Sequence, residues 1–153
     1  MITIHLYKKE NQTEIDAMIS EITQEFELPI SNKGKSIYKP LDSYWIAFNE
    51  TGIIGTIGVL NMENNHAILK NMFVKKEFRG TTFGISQMLL EKVFDWCSAE
   101  NISTIYLGTM NQFKAAHKFY GKNGFQKIMN NELPLSFIAN PIDDVFYKKN
   151  LNK

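Results

Sequence analysis

A change of hydrophobic period in the middle of the chain sets the tightest limit on its fold. Residues 67–74 (AILKNMFV) have the length and apolar content of a buried strand. From Ile85 to about Ala99 the period becomes helical. Ile85, Met88, Leu89, Val93, Trp96 and Cys97 fall on one face, and Gln87, Glu91, Lys92 and Asp95 fall on the other. Thr104–Leu107 then reads as a strand again. Strand, loop, helix and strand make a crossover, which forces its two strands to run parallel if they share a sheet. The loop carries Arg79-Gly80 and Gly84 and opens directly onto a helix N-terminus. Free backbone N–H groups and the helix dipole attract anions there. The glycines let the backbone approach a ligand closely. Arg79, the only arginine, has the bidentate geometry that suits phosphate. The residues alone make this loop a candidate pyrophosphate site, beside the plainer reading that its glycines merely turn the chain. No G-K-[ST] is present, so it is not a P-loop, and the glycine spacing fits a dinucleotide-binding fingerprint poorly.

The flanking segments supply the rest of a sheet. Ile2, Ile4 and Leu6 alternate as in a half-buried strand. Ile15, Met18, Ile19, Ile22 and Phe26 recur at helical spacing behind Thr13-x-x-Asp16, which resembles a capping box, and Pro29 forbids continuation. The stretch from about Ser31 to Pro40 is a loop or a short helix. Tyr44–Phe48 and Ile53–Leu60 predict a hairpin turning at Gly52, and a second turn at Glu63–Asn65 extends it to a three-stranded meander. Gln112–Lys122 predicts a short helix ended by Asn123-Gly124, and Phe125–Ile128 and Val145–Tyr147 predict the last strands.

Composition bounds the function classes. At 153 residues, 44% hydrophobic and 22% charged, the chain is expected to form a single folded domain over 1–153. A net charge of +1 argues against generic nucleic-acid binding. One cysteine excludes a disulfide framework, and His5, His66 and His117 lack metal-ligand spacing, so no metal is expected. No secretory leader or run of 18 apolar residues is visible, so a reduced, cytoplasmic protein with no membrane partner is expected.

Two segments resemble the GNAT superfamily of acyl-CoA-dependent N-acetyltransferases. One is Met72-Phe73-Val74-Lys75-Lys76-Glu77-Phe78-Arg79-Gly80 running into Gly84-Ile85-Ser86 and Leu89-Leu90. The other, Ala115-Ala116-His117-Lys118-Phe119-Tyr120-Gly121-Lys122-Asn123-Gly124-Phe125, is similar to the family's A-x-x-x-Y-x-K-x-G-F signature. The order of strands and helices matches from residue 2 to about 150. The resemblance implies an α+β (mixed α/β) fold: a mostly antiparallel, splayed sheet of six or seven strands with about four helices, whose fourth and fifth strands part to admit acetyl-CoA. It implies that Met72, Phe73 and Val74 meet the pantetheine amides. It further implies that the loop Arg79, Gly80, Thr81, Thr82, Phe83, Gly84, Ile85 and Ser86 holds the pyrophosphate through main-chain N–H groups, and that Phe113, Ala116 and Lys122 contribute to the same cofactor site.

The chain departs from the family pattern in three places. The loop is about two residues longer than the usual Q/R-x-x-G-x-G/A, so two alignments of its amides are open. Phe113 stands where many members have a cofactor-contacting asparagine. Ile68 stands where many have a glutamate serving as base, which leaves the base unassigned among Glu25, Glu27, His117 and a water chain.

Acetyl transfer needs a deprotonated amine, a stabilised oxyanion and a proton for the leaving thiolate. Tyr120, where family members place a tyrosine near the sulfur, is the candidate proton donor; the alternative is a tyrosine packed on the sheet. Backbone N–H groups near Met72 or Phe73 are candidate oxyanion donors. His117 reads more simply as a solvated helix-surface residue. Lys114, Lys118 and Lys122 form a stripe that faces solvent or meets the 3′-phosphate of CoA. Cys97 lies among core positions with no activating histidine and reads as structural. Tyr44, Trp45, Phe48, Phe137 and Phe146 read as core before acceptor pocket. Glu25, Glu27, Glu132, Asp143 and Asp144 hint weakly at attraction for a cationic amine. The expected function is transfer of an acetyl group from acetyl-CoA to a primary amine by direct attack in a ternary complex. The alternative is an acyl-CoA-binding sensor without transferase activity. The acceptor and the oligomeric state, a homodimer included, stay open.

Overall fold

The computed structural model describes residues 1–30, 41–80, 82–137 and 140–151. Strands β1 (Thr3–Leu6), β2 (Ser43–Asn49), β3 (Gly52–Asn61), β4 (His66–Val74), β5 (Thr104–Thr109), β6 (Gln126–Ile128) and β7 (Val145–Asn150) form one sheet in the order β1-β2-β3-β4-β5-β7-β6. Every neighbouring pair is antiparallel except β4 and β5, which the crossover makes parallel. Three α-helices are found among the described residues: α1 (Gln12–Thr23), α2 (Ile85–Ala99) and α3 (Lys114–Lys122). Three single 3-10 turns accompany them, where the resemblance implies about four helices. The undecided 31–40 stretch lies outside the described residues.

Two apolar layers sandwich the sheet. On one face Ile85, Leu89, Leu90, Val93 and Cys97 of α2 pack on Ile54, Ile57, Val59 and Leu69. On the other, Ile15, Met18 and Ile22 of α1 pack on Ile46 and Ile53. This explains why residues 53–60 of β3 are buried without interruption: a strand covered on both faces needs no polar alternation. Trp45, Tyr44, Phe48, Phe137 and Phe146 all belong to these layers or to a third cluster around Tyr106 and Ile128. None of them lines the cleft described below.

Boundaries follow the sequence closely, with one correction. The Thr13-x-x-Asp16 capping box does not form. A 3-10 turn over Lys9–Asn11 leads straight into α1, so Asn11 occupies the cap and Thr13 lies inside the first turn. Asn11 instead accepts a hydrogen bond from the Lys8 N–H at 2.8 Å. The two hairpin turns form as expected. Asn64 and Asn65 both have φ of +62°, the left-handed pair that suits a tight hairpin.

Candidate active site

The site arises from two interruptions of regular pairing. β4 and β5 pair only from His66↔Thr104 to Ile68↔Tyr106. Beyond that the strands part while each continues, β4 to Val74 and β5 to Thr109. On the other edge of β4, pairing with β3 passes from Gly58↔Lys70 to Thr56↔Phe73, so β4 carries one extra residue. The bulge centres on Asn71, whose φ of +52° asparagine tolerates well. The Thr56 hydroxyl donates to the Asn71 carbonyl at 2.7 Å and pins the kink.

The parted strands open a cleft of about 1510 Å³, beyond the roughly 300–1,000 Å³ usual for small-molecule pockets. One wall comes from the end of β4 and the approach to α2. Met72, Phe73 and Val74 border it, as do Arg79, Gly80, Gly84 and Ser86. Gly84 caps α2 with φ +66°, and Gly80 has φ +99°; a Cβ on either would meet no atom within 4 Å. These glycines answer to backbone conformation rather than to crowding. The first N–H groups of α2 have no partner inside the helix, and its first turn contains no acidic residue to compete for them. Ile85 points its side chain into the core, fully buried, so only its main chain is available to the cleft. Thr82 and Phe83 are exposed and do not border the cleft; Phe83 stacks edgewise on Phe78. Thr81 lies outside the described residues.

Arg79 is already committed to protein partners. Its Nη1 and Nη2 donate to Glu25 Oε1 and Oε2 at 2.6 and 2.9 Å, and its Nε donates to the Val74 carbonyl at 2.8 Å. The fork ties the end of β4 to the turn after α1, and it occupies Glu25 as well.

The opposite wall comes from α3, β5 and the loop before β7. Phe113, Ala116, Lys114, Lys118, Lys122 and Tyr120 of the α3 region border the cleft, with Gly108 and Thr109 of β5 and Asp143. The three lysines are exposed along its rim. Phe113 packs edgewise on Phe26 with ring centroids 4.8 Å apart. Tyr120 is only 5% exposed, wedged among Phe119, Phe125 and Tyr147. Among the described residues its hydroxyl has no hydrogen-bond partner. Burial, with the nearby Asp143 and Tyr147, pushes its pKa well above the usual phenol range and keeps it protonated.

His117 is not a solvated surface residue. It is half-buried, with Nε2 3.0 Å from the Met110 carbonyl and Nδ1 2.8 Å from the Tyr147 hydroxyl. A carbonyl only accepts, so Nε2 carries the proton and Nδ1 receives the tyrosine O–H. Both nitrogens are thereby spent. Cys97 is buried, and burial pushes its thiol up to about 12.

Of the five acidic residues that the sequence offered for attracting an amine, Asp143 and Glu25 border the cleft, and Asp143 is not committed to an ion pair. Its carboxylate stands over Gly108, where a Cβ would lie 2.6 Å from Oδ2. Burial raises its pKa to about 6; Lys70 and the Asn140 main chain pull downward, and Asp144 adds to the rise. The loop is fastened by Asp144 N–H to the Thr109 carbonyl at 2.9 Å and by Asn111 N–H to the Asp144 carboxylate at 2.8 Å. Lys70 also lines the cleft, with its pKa lowered by burial. The available signal for Lys70 is a charge interrupting the apolar run 67–74. No local signal separates Asp143 from the other four acidic residues named with it. Glu27 is exposed and does not border the cleft.

A parallel β4–β5 pair that parts beside a glycine-capped helix defines an acyltransferase fold of the GNAT kind. A family model described as "Acetyltransferase (GNAT) domain" matches residues 40–127, more than half of the chain. The chain belongs to the GNAT acetyltransferase family. An acetyltransferase of the GNAT family from Staphylococcus aureus Mu50 superposes with a TM-score of 0.89 at 34% identity, covering 99% of this chain and all of that one. N-acetylaspartate synthetase of Danio rerio is 30% identical over 115 residues, 72% of this chain but only 40% of the relative. N-acetylglutamate synthase from Neisseria gonorrhoeae, solved with coenzyme A and N-acetyl-glutamate, shares the fold at a TM-score of 0.74 and 14% identity; the match covers 36% of its length. Among the described residues no helix is long and apolar enough to cross a membrane, and no group of three or more His, Cys, Asp or Glu is arranged to hold a metal.

Proposed function

We propose that the protein transfers an acetyl group from acetyl-CoA to a primary amine by direct attack in a ternary complex. The observation that carries this reading is the parting of β4 from β5 immediately beside the N-terminus of α2. The unpaired edge of Met72–Val74 offers strand-like hydrogen bonds to the pantetheine amides. Main-chain N–H groups at Gly80, Gly84 and the first turn of α2 take the pyrophosphate, and Arg79 braces this wall through Val74 and Glu25. Lys114, Lys118 and Lys122 supply positive charge for the 3′-phosphate, and Phe113 and Ala116 shape the wall beside the sulfur. N–H groups at the Asn71–Phe73 kink stabilise the oxyanion, and Tyr120 protonates the departing thiolate. A phenol held above its usual pKa is a reservoir of protons that is full at neutral pH.

The chain spans less than half the length of the curated relatives it matches. Their names put acidic amino acids first among acceptors to try. The test is calorimetric binding of CoA, followed by thiol release from acetyl-CoA with L-aspartate, L-glutamate, glycine and an uncharged amine such as benzylamine. Binding with turnover of at least one amine supports the transferase. Binding with no turnover of a broad panel supports the sensor reading. No binding at high excess removes both.

A further inference from the structure

The transferase reading leaves the proton of the incoming ammonium without a receiver. Ile68 is 4% exposed and apolar. Glu25 is locked to Arg79 through both carboxylate oxygens, and His117 has spent both ring nitrogens. Among the described residues two other carboxylates border the cleft, Asp16 and Asp143. Asp16 accepts from the Gln12 side chain at 2.9 Å on the first turns of α1. Asp143 sits at the mouth of the opening.

Geometry distinguishes it. Strand pairing stops at Ile68↔Tyr106, and two residues further along each strand stand Lys70 and Gly108. Their side-chain positions share a face with the last pair, since strand side chains alternate. Glycine at 108 leaves the space that the Asp143 carboxylate fills. Lys70 on β4 and Asp143 above β5 thus confront each other across the opening, close enough for each to shift the other's titration. Yet they form no ion pair within 4.0 Å. Two opposite, partly desolvated charges that border one cleft without pairing are complementary to a zwitterion. Its ammonium goes to the carboxylate and its carboxylate to the ammonium.

We propose that Asp143 is the catalytic base of this site and Lys70 its carboxylate-binding partner, so that the acceptor is an amino acid seated between them. The proposal rests on the transferase reading above. The Asp143 carboxylate takes one proton from the acceptor's ammonium. The freed nitrogen lone pair forms the C–N bond to the thioester carbon, and the C–S bond breaks as the oxyanion collapses. Tyr120 gives its proton to the thiolate and regains one from the nitrogen's second N–H through solvent. Asp143 releases its proton to water, so the net products are an N-acetyl amino acid, free thiol and one proton. The groups that face Asp143 are Lys70 on β4, Tyr120 on α3 and Asp144 beside it in the loop. A carboxyl titrating at about 6 there is ionised at pH 7.5 and still a competent base.

The test compares the wild type with Asp143→Asn, Asp143→Glu, Gly108→Ala and Lys70→Met, measuring CoA binding by calorimetry and kcat and KM between pH 5 and 9 on the same four amines. For Asp143→Asn, kcat is expected to fall about 100-fold, with loss of the acidic limb near pH 6, while CoA still binds and so reports a folded protein. Asp143→Glu is expected to recover part of the rate. Gly108→Ala, which crowds the carboxylate without removing it, is expected to lower kcat as well. Lys70→Met is expected to raise KM for the amino-acid acceptors about tenfold, the loss of one charge-assisted contact. An Asp143→Asn protein that keeps the wild-type kcat and pH limb overturns the base; an unchanged KM in Lys70→Met overturns the seat. A wild type that binds CoA and acetylates none of the amines overturns the transferase reading and the proposal with it, a result that no variant data can imitate.

Discussion

The β4–α2 side of the cleft is distinguished by main-chain groups: the free edge of Met72–Val74, the kink at Asn71, and Gly80 and Gly84 before the first turn of α2. The β5–α3 side is distinguished by side chains, Tyr120, Asp143 and the lysine rim, and Lys70 of β4 borders the same cleft. Main-chain donors are fixed by backbone conformation and tolerate many residues, provided that glycine or asparagine stands where φ is positive. Side-chain chemistry depends on the identity of each residue and on the burial that tunes it. The first wall therefore suits an invariant ligand common to a whole class of enzymes, and the second suits whatever distinguishes one member from another.

The sharpest way to break this contrast is Tyr120→Phe, which removes one oxygen from the side-chain wall. Turnover of an amine that the wild type acetylates is expected to fall about 100-fold, with CoA affinity within about twofold. Thiol release measures it, and equal turnover would place the phenol outside the chemistry.

Second comes a stability effect confined to the same wall. Folding raises the pKa of Asp143 from its ordinary 3.8 to about 6, so ionising it costs stability. That cost is absent below the unfolded value and complete above about pH 6. That net rise, in which the attraction of Lys70 is already included, corresponds to about 3 kcal/mol, and solvent reaching the partly exposed carboxylate reduces it. Asp143→Asn is expected to gain about 2 kcal/mol of unfolding free energy at pH 8 and none at pH 3.5, read from urea titrations at both values. A loss at pH 8 would mean that the carboxylate is better solvated than its burial implies.

The main-chain wall is probed by Gly84→Val, which forces a β-branched residue into φ +66° at the cap of α2. A strain of about 1–3 kcal/mol is expected to distort the bend and weaken CoA binding about tenfold by calorimetry. Unchanged affinity would separate this glycine from the ligand. Glu25→Ala has a smaller effect. The bidentate contact to Arg79 is half-shielded, with side-chain exposures of 29% and 19%, so its loss is expected to cost about 1 kcal/mol in a thermal or denaturant melt. A large gain in CoA affinity would show that Arg79, once released, prefers phosphate. The least change is expected at Cys97. With its thiol buried and pushed up to about 12, it is expected to resist iodoacetamide in the native protein over hours, leaving activity intact.

The crossover, α2 from Ile85 to Ala99, the hairpins and the glycine bend were legible from the residues alone, because each is written in a local period or a backbone requirement that neighbouring residues carry. The resemblance of a short motif singled out Tyr120, which borders the cleft, while its role as proton donor is a proposal. The local pattern misplaces the start of α1, where a 3-10 turn over Lys9–Asn11 competes with the Thr13 cap, and it misreads His117, whose partners Met110 and Tyr147 lie 7 and 30 residues away. It took the folded chain to show that Arg79 is spent on Glu25, 54 positions distant, and that Lys70 and Asp143, 73 positions apart in the sequence, border the same cleft. The physical reason is common to all three cases. Hydrogen bonding, charge and desolvation act through space over a few ångströms, and nothing in the local order of residues records which distant groups folding will bring within that reach.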